Sequence, residues 1–178
     1  MIDAPPQAHP PLLLPPAARA RHALGARLLG GAYVIAGGLV AALVEPFDWP
    51  IAGWLAAYLV LVCAVVQYLM GLSVAYVERA PSGRRLSARL VAWNIGNGVV
   101  ITGALAHLPY LVDLGGLILF ATLIDLFAGA LTGHGIPSEQ DSGSTRSLHS
   151  ALRAGYLALL SLLIVSIPIG LVLSHLRA

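Results

Sequence analysis

Asp125, in the stretch Thr122-Leu123-Ile124-Asp125-Leu126-Phe127, is a lone carboxylate in strongly apolar surroundings. An ionisable group in such a stretch is costly to place in lipid and marks a functional position by default. The chemistry open to it is proton or cation handling, with neutral amides as further ligands. Asn94 and Asn97 are three residues apart, so on a helix they present one polar face, and Gln67 falls near the same level on the preceding apolar run. Gln67, Asn94, Asn97 and Asp125 are therefore expected to form one intramembrane polar cluster. The alternative is structural: amides hydrogen-bonding between helices to fix their register, with Asp125 protonated or paired to Arg89 or another arginine.

A second polar group gathers at His107, Tyr110 and Asp113, with Glu45, Asp48 and His175 on neighbouring helix ends. Histidine and carboxylate suit zinc or copper. No helix supplies a ligand pair at i and i+4, however, so these are read as solvated interface residues and no metal site is assigned. The six histidines, His9, His22, His107, His134, His149 and His175, all lie away from the middle of the apolar runs, so no pair of haem ligands can be assembled. Cys63 is the single cysteine, which excludes an internal disulfide and a cysteine-held cluster. Gly133-His134-Gly135 lacks the glycine spacing and the lysine of a phosphate cradle. No nucleophile and base occur at a recognisable spacing, so no catalytic residue is named.

The elements that must position these groups are five apolar runs: Leu28 to Val44, Ile51 to Val77, Leu90 to Ala106, Leu108 to Thr132 and Ala154 to Ser174. A crossing helix needs about 20 apolar residues. Apolar residues make up 58% of the 178 and charged residues 10%, against about 45–50% and about 25% in soluble domains, so a water-soluble fold would lack polar surface. The expectation is an all-α transmembrane bundle of about five helices, near residues 24–44, 51–77, 89–107, 109–132 and 151–174, as one domain over 23–178. Residues 1–22 are expected to form a Pro-rich tail, extended over Met1 to Ala18 because its prolines remove backbone donors. The tail does not read as a cleaved signal peptide, since its charges follow it and Leu12 to Leu14 is too short an apolar core. Gly133 to Ser150 reads as an irregular connection. His107, Leu108 and Pro109 leave only a tight turn between the third and fourth runs, so a re-entrant pair is the alternative to two crossings there.

All ten basic residues are arginines, and they sit beside the runs. Arg19, Arg21 and Arg27 precede the first run, Arg79, Arg84, Arg85 and Arg89 fill the second connection, and Arg146 and Arg153 the fourth. The positive-inside rule then places the N-terminus in the cytoplasm and the C-terminus outside, most simply in a bacterial inner membrane. These charges orient the bundle and do not imply nucleic acid. On helices of these expected bounds, Asp125 lies roughly 9 Å and Asn97 roughly 10 Å from the cytoplasmic ends, which is why they are placed together. Small residues supply contacts between helices: Gly37 with Ala41 and Gly38 with Ala42 make small-xxx-small pairs.

The second run from Trp54-Leu55-Ala56-Ala57-Tyr58 to Gln67 and Gly71, the basic connection with Arg84 and Arg85, Trp93-Asn94-Ile95-Gly96 in the third, and Arg153-Ala154-Gly155-Tyr156 leading the fifth together carry a resemblance. The chain resembles bacterial proteins related to haem-copper oxidase subunit I, including membrane proteins of the nitric-oxide response. That family holds haem and copper by histidines within its membrane helices. This sequence has none at such depth, so no ligand residue is carried over. The resemblance implies a bundle associated with, or derived from, respiratory-type membrane complexes.

Two classes of function follow. One is a non-catalytic accessory or structural subunit of a larger membrane complex of respiratory or photosynthetic electron transfer, with the lipid bilayer and partner subunits or further copies as its contacts. The other is a small oligomeric proton- or cation-coupled transporter or channel that uses Asp125 with Asn94 and Asn97.

Overall fold

Apolar runs bounded by arginine and serine predict helices that end where the charges begin, yet arginine and serine are themselves adequate helix formers. The computed structural model describes residues 16–76, 82–132 and 143–176, with side chains over 20–49, 51–73, 82–132 and 150–169. Its helices are α1 (Pro16–Phe47), α2 (Pro50–Tyr58), a π-helical turn (Leu59–Ala64), α3 (Val65–Tyr76), α4 (Gly83–Leu105), α5 (Pro109–Thr132) and α6 (Gly143–Leu176). The segment from α2 to α3 is continuous, so the chain forms five rods, and no strand occurs among the described residues. Three rods begin earlier than the apolar runs indicate, at Pro16, Gly83 and Gly143. Pro16 heads α1, a position where the missing N–H of proline costs nothing. Ser82 caps α4 by accepting from the backbone N–H of Arg85 at 3.3 Å. Residues 143–150, expected to be irregular, are the first two turns of α6. Of the expected tail, 1–15 lie outside the described residues and 16–22 are helical.

Four stretches are long and apolar enough to cross a membrane: Ala20–Phe47, Ile51–Ser73, Pro109–Thr132 and Ser150–Ile169. The chain is an all-α integral membrane protein. The rod outside this set is α4, whose Arg84, Arg85, Arg89, Asn94 and Asn97 dilute its apolar content. It runs antiparallel along α5, from Arg85 beside Asp125 at one end to Gly103 beside Val112 at the other.

The same turn closes both antiparallel pairs. After α1, Asp48 N–H donates to Glu45 O at 3.3 Å and Trp49 N–H to Val44 O at 3.2 Å, with Asp48 at φ 43°. After α4, His107 N–H donates to Ala104 O at 3.5 Å and Leu108 N–H to Gly103 O at 2.9 Å, with His107 at φ 54°. Both are Schellman motifs, in which a left-handed residue lets two amides reach back to the last helical carbonyls. A proline, Pro50 or Pro109, follows each and starts the next helix. Glycine is the usual occupant of the left-handed position, because a Cβ there costs about 1–2 kcal/mol. His107→Gly is therefore expected to stabilise the protein by up to about 1 kcal/mol, read as a higher unfolding midpoint in detergent. A lower midpoint would show that the imidazole makes a contact worth more than the backbone strain.

Packing follows two small-residue seams. On α1, Ala23, Ala26, Gly30 and Gly37 are buried, at spacings of three, four and seven. A Cβ on Gly30 would stand 3.1 Å from Ala64 O and Tyr68 N, and one on Gly37 3.0 Å from Ala56 O, so the α2–α3 rod lies directly against the α1 backbone. The expected pairs Gly37/Ala41 and Gly38/Ala42 are not the seam. Gly38, Ala41 and Ala42 face outward, and the working repeat is the heptad of an antiparallel coiled coil. On α4 the buried residues Leu86, Arg89, Trp93, Gly96, Val100 and Gly103 follow the same three-four alternation, and α5 lays Gly115 and Leu119 against Gly96 and Val100.

The apolar core joins Val66 and Met70 of α3, Trp93 and Val100 of α4, four α5 residues and Tyr156 and Leu160 of α6. Among the described residues, Trp93 is the largest side chain completely enclosed. Only 11% of the α1 and α6 spans is buried, against 44% of the other two, so these rods flank the bundle and offer Leu28, Ile35, Leu39 and Leu162 to lipid.

Candidate functional site

The N-cap at Ser82 sets the phase of α4, and with it puts Arg85 and Arg89, four residues apart, on the face turned to α5. Asp125 receives both. Its Oδ1 accepts from Arg85 Nη2, and its Oδ2 accepts from Arg89 Nε at 2.6 Å and from Arg85 Nε at 3.5 Å. Arg89 Nη2 also donates to the main-chain carbonyl of Asp125 at 3.0 Å. Arg89 is 4% exposed, Arg85 51% and Asp125 39%, so one guanidinium is sealed in the helix interface while the other closes the triad from outside. Bonds between charged partners of this kind are shorter and stronger than neutral ones. Two guanidinium groups thus meet one carboxyl group.

Counted from the observed helix ends, Asp125 lies seven residues from Thr132, about 10 Å, and Arg89 six residues from Gly83, about 9 Å. Asn94 and Asn97 lie eleven and fourteen residues in, about 16 and 21 Å. Asp125 therefore meets arginines and not the amides. The expected four-residue cluster is two groups, one charged near the helix ends and one neutral deeper in.

The neutral group ties three rods together. Asn94 Oδ1 accepts from the Tyr33 hydroxyl of α1 at 2.5 Å, and Asn94 Nδ2 donates to Leu90 O at 2.7 Å and to Gln67 Oε1 of α3 at 3.3 Å. One turn on, Asn97 Oδ1 accepts from the Tyr58 hydroxyl of α2 at 2.9 Å, while its Nδ2 donates to Trp93 O at 2.8 Å. Tyr58 is itself held by stacking on Trp54, with ring centroids 5.2 Å apart. It immediately precedes the π-helical turn, where Val65 N–H reaches back five residues to Val60 O. Two donors sealed in the same region, Gln67 Nε2 and Trp93 Nε1, have no acceptor. Neither tyrosine stood out in the sequence, since a single aromatic in an apolar run carries no signal of a partner 39 or 61 residues away. Tyr58→Phe keeps the ring and removes the donor, and is expected to cost about 0.6 kcal/mol and at most about 1.7. Reversible unfolding in mixed micelles would measure it, and an unchanged free energy would show that Asn97 needs no hydroxyl.

The other expected group lies around the α4–α5 turn. His107 occupies the α4–α5 turn, Tyr110 is 63% exposed on the first turn of α5, and Asp113 is half-buried one turn further. Glu45 and Asp48 belong to the α1–α2 turn, and the His175 side chain lies outside those described. Among the described residues no three His, Cys, Asp or Glu side chains converge as metal ligands would. Cys63 is buried in the π-helical turn. At the far end of the bundle, Arg153 Nη2 donates to the carbonyls of Ala130 and Leu131 at 3.1 Å, so α6 caps the last turn of α5 with a cation.

No family model matches this chain, and no curated protein or solved structure is detectably similar to it.

Proposed function

We propose that the chain is a non-catalytic accessory or structural subunit of a larger membrane complex. One observation carries this reading. Asp125, the carboxylate whose position invited a transport role, is held by two arginines, and the amide layer is hydrogen-bonded across α1, α2, α3 and α4. Polar groups engaged in this way fix helix register, and Asp125 is engaged by arginines where a transport role would need it open to a passing ion. The weakly buried outer rods, with Gly38, Ala41 and Ala42 turned outward on α1, supply surface for neighbouring subunits. In this reading α4 crosses the membrane as the antiparallel partner of α5, giving five crossings, and the arginine-rich end faces the cytoplasm of a bacterial inner membrane. The resemblance to respiratory proteins makes an electron-transfer assembly the first to examine.

Purification in a mild detergent, followed by mass spectrometry and an absorption spectrum, tests this. Other subunits in fixed proportion are expected. A colourless preparation of this chain alone, whose proton or cation flux in proteoliposomes is lost in Asp125→Asn, would replace the proposal with the transporter reading.

A further inference from the structure

Contacts along an antiparallel coiled coil advance in equal steps on its two helices, because each spends seven residues on a repeat. The α1 seam departs from this rule at one place. Gly37 lies against the helix turn between Ala56 and Val60, with Ala56 O 3.0 Å from its Cβ position, and Gly30 lies against the turn between Ala64 and Tyr68, with Ala64 O and Tyr68 N both at 3.1 Å. Between these two contacts α1 uses seven residues, while the facing rod uses eight, from Ala56 to Ala64 and from Val60 to Tyr68. Beyond Gly30 the steps agree again. Gly71 lies against the α1 turn between Ala23 and Arg27, with Ala23 O and Arg27 Cγ 2.8 Å from its Cβ position, so each rod advances five residues between the centres of these contacts. The facing rod thus carries one surplus residue, and the contacts on either side of the surplus bracket the π-helical turn Leu59–Ala64.

The α4 side gives the same count from different atoms. Tyr58 and Gln67 both reach α4, at Asn97 and Asn94. They are nine residues apart, and nine steps of about 100° would set them on opposite sides of an uninterrupted α-helix. A π-helical turn closes its bonds five residues back instead of four, as Val65 N–H does on Val60 O, and so spends one extra residue on the turn. Eight effective steps bring the two side chains within about 80° of each other, on the side turned to α4.

We infer that Leu59–Ala64 is a phase-correcting device: its π-helical turn takes up a single surplus residue and so holds α2 and α3 in one phase toward α1 and α4 at once. Neither count requires the surplus residue. Removing one residue from the turn therefore leaves a plain α-helix with both faces still aligned, and Leu61, 63% exposed, is the residue to remove. The inference is independent of the accessory-subunit reading.

The test compares, in the full-length protein, deletion of Leu61 with deletion of Val34, which is 50% exposed on α1 between Gly30 and Gly37. Without Val34, six residues of α1 would face eight, and the seam is thrown further out of phase. Reversible unfolding in mixed micelles is expected to give the Leu61 deletion a folding constant within about threefold of the wild type, and the Val34 deletion one lower by about tenfold or more. Tyr58→Phe, placed in the wild type and in the Leu61 deletion, reads the α4 side and should lower the folding constant by the same factor in both, about threefold. Two deletions of equal effect, large or small, would overturn the inference. A Tyr58→Phe factor that differs between the two backgrounds would overturn it as well.

Discussion

Asp125→Leu is expected to destabilise the folded protein by about 3 kcal/mol, because it removes the carboxylate that Arg89, sealed in the α4–α5 interface, engages. Breaking a buried ion pair from one side costs about 3–5 kcal/mol, and the lower figure applies because Asp125 itself is 39% exposed. The two arginines are not equivalent. Arg85 is 51% exposed, so Arg85→Gln should cost no more than about 1 kcal/mol. The double variant Asp125→Leu/Arg89→Leu removes both charges together and should recover most of the loss, since apolar side chains of similar volume often replace a buried pair without penalty. Unfolding free energies for the wild type, Asp125→Leu, Arg89→Leu and the double variant form a thermodynamic cycle. A single Asp125→Leu variant as stable as the wild type would mean that Arg89 finds water or lipid phosphate when its partner is gone.

The second large effect is steric. A Cβ on Gly115 would stand 2.7 Å from Val100 Cγ2 and 2.8 Å from both Gly96 O and Val100 N, and two of those three atoms are backbone of the neighbouring helix. A methyl group there can be accommodated only by moving the two rods apart. Gly115→Ala should therefore cost about 1–3 kcal/mol, and Gly115→Leu more. Gly98 is the matched control. It lies on the same pair of rods with open space at its Cβ position, so Gly98→Ala should be neutral or gain up to about 1 kcal/mol from helix propensity. If both alanine variants behave alike, the α4–α5 contact is looser than these distances require.

Much of the fold is legible in residue order, because a crossing helix must satisfy its own backbone and so announces itself as a long apolar run. What that criterion cannot locate is the helix end. Gly83, Arg84 and Arg85 look like a connection until Ser82 is read as an N-cap, and the seven residues between Gly83 and Leu90 move every depth on α4 by about 10 Å. That displacement places Asn97 level with Asp125 when depths are counted from the apolar run alone, and hands the place to Arg89 when they are counted from the cap. The pairing of Asp125 with Arg89 was among the alternatives the residues themselves allowed. Choosing it required the cap, and Ser82 followed by two arginines that recur at i and i+4 was the available signal. The tyrosine hydroxyls that meet Asn94 and Asn97 had no such signal, since their partners depend on how α1 and α2 dock against α4.

The repeated turn with its left-handed residue and following proline bears on how the chain enters a bilayer. In the five-crossing reading α4 carries Arg84, Arg85 and Arg89 into the bilayer, and since a charged residue costs about 2.5–3.5 kcal/mol at a helix centre and less toward its ends, α4 emerging alone from the insertion machinery would partition poorly. The His107 turn is only a few residues long, so α5 follows at once and brings Asp125 to Arg89 before either charge must face hydrocarbon. The pair can then be inserted as one hairpin of reduced charge, with the ion pair acting as a condition of biogenesis as well as of stability. In the five-crossing reading, lengthening that turn with a flexible insert would uncouple the two helices in time and leave α4 uninserted.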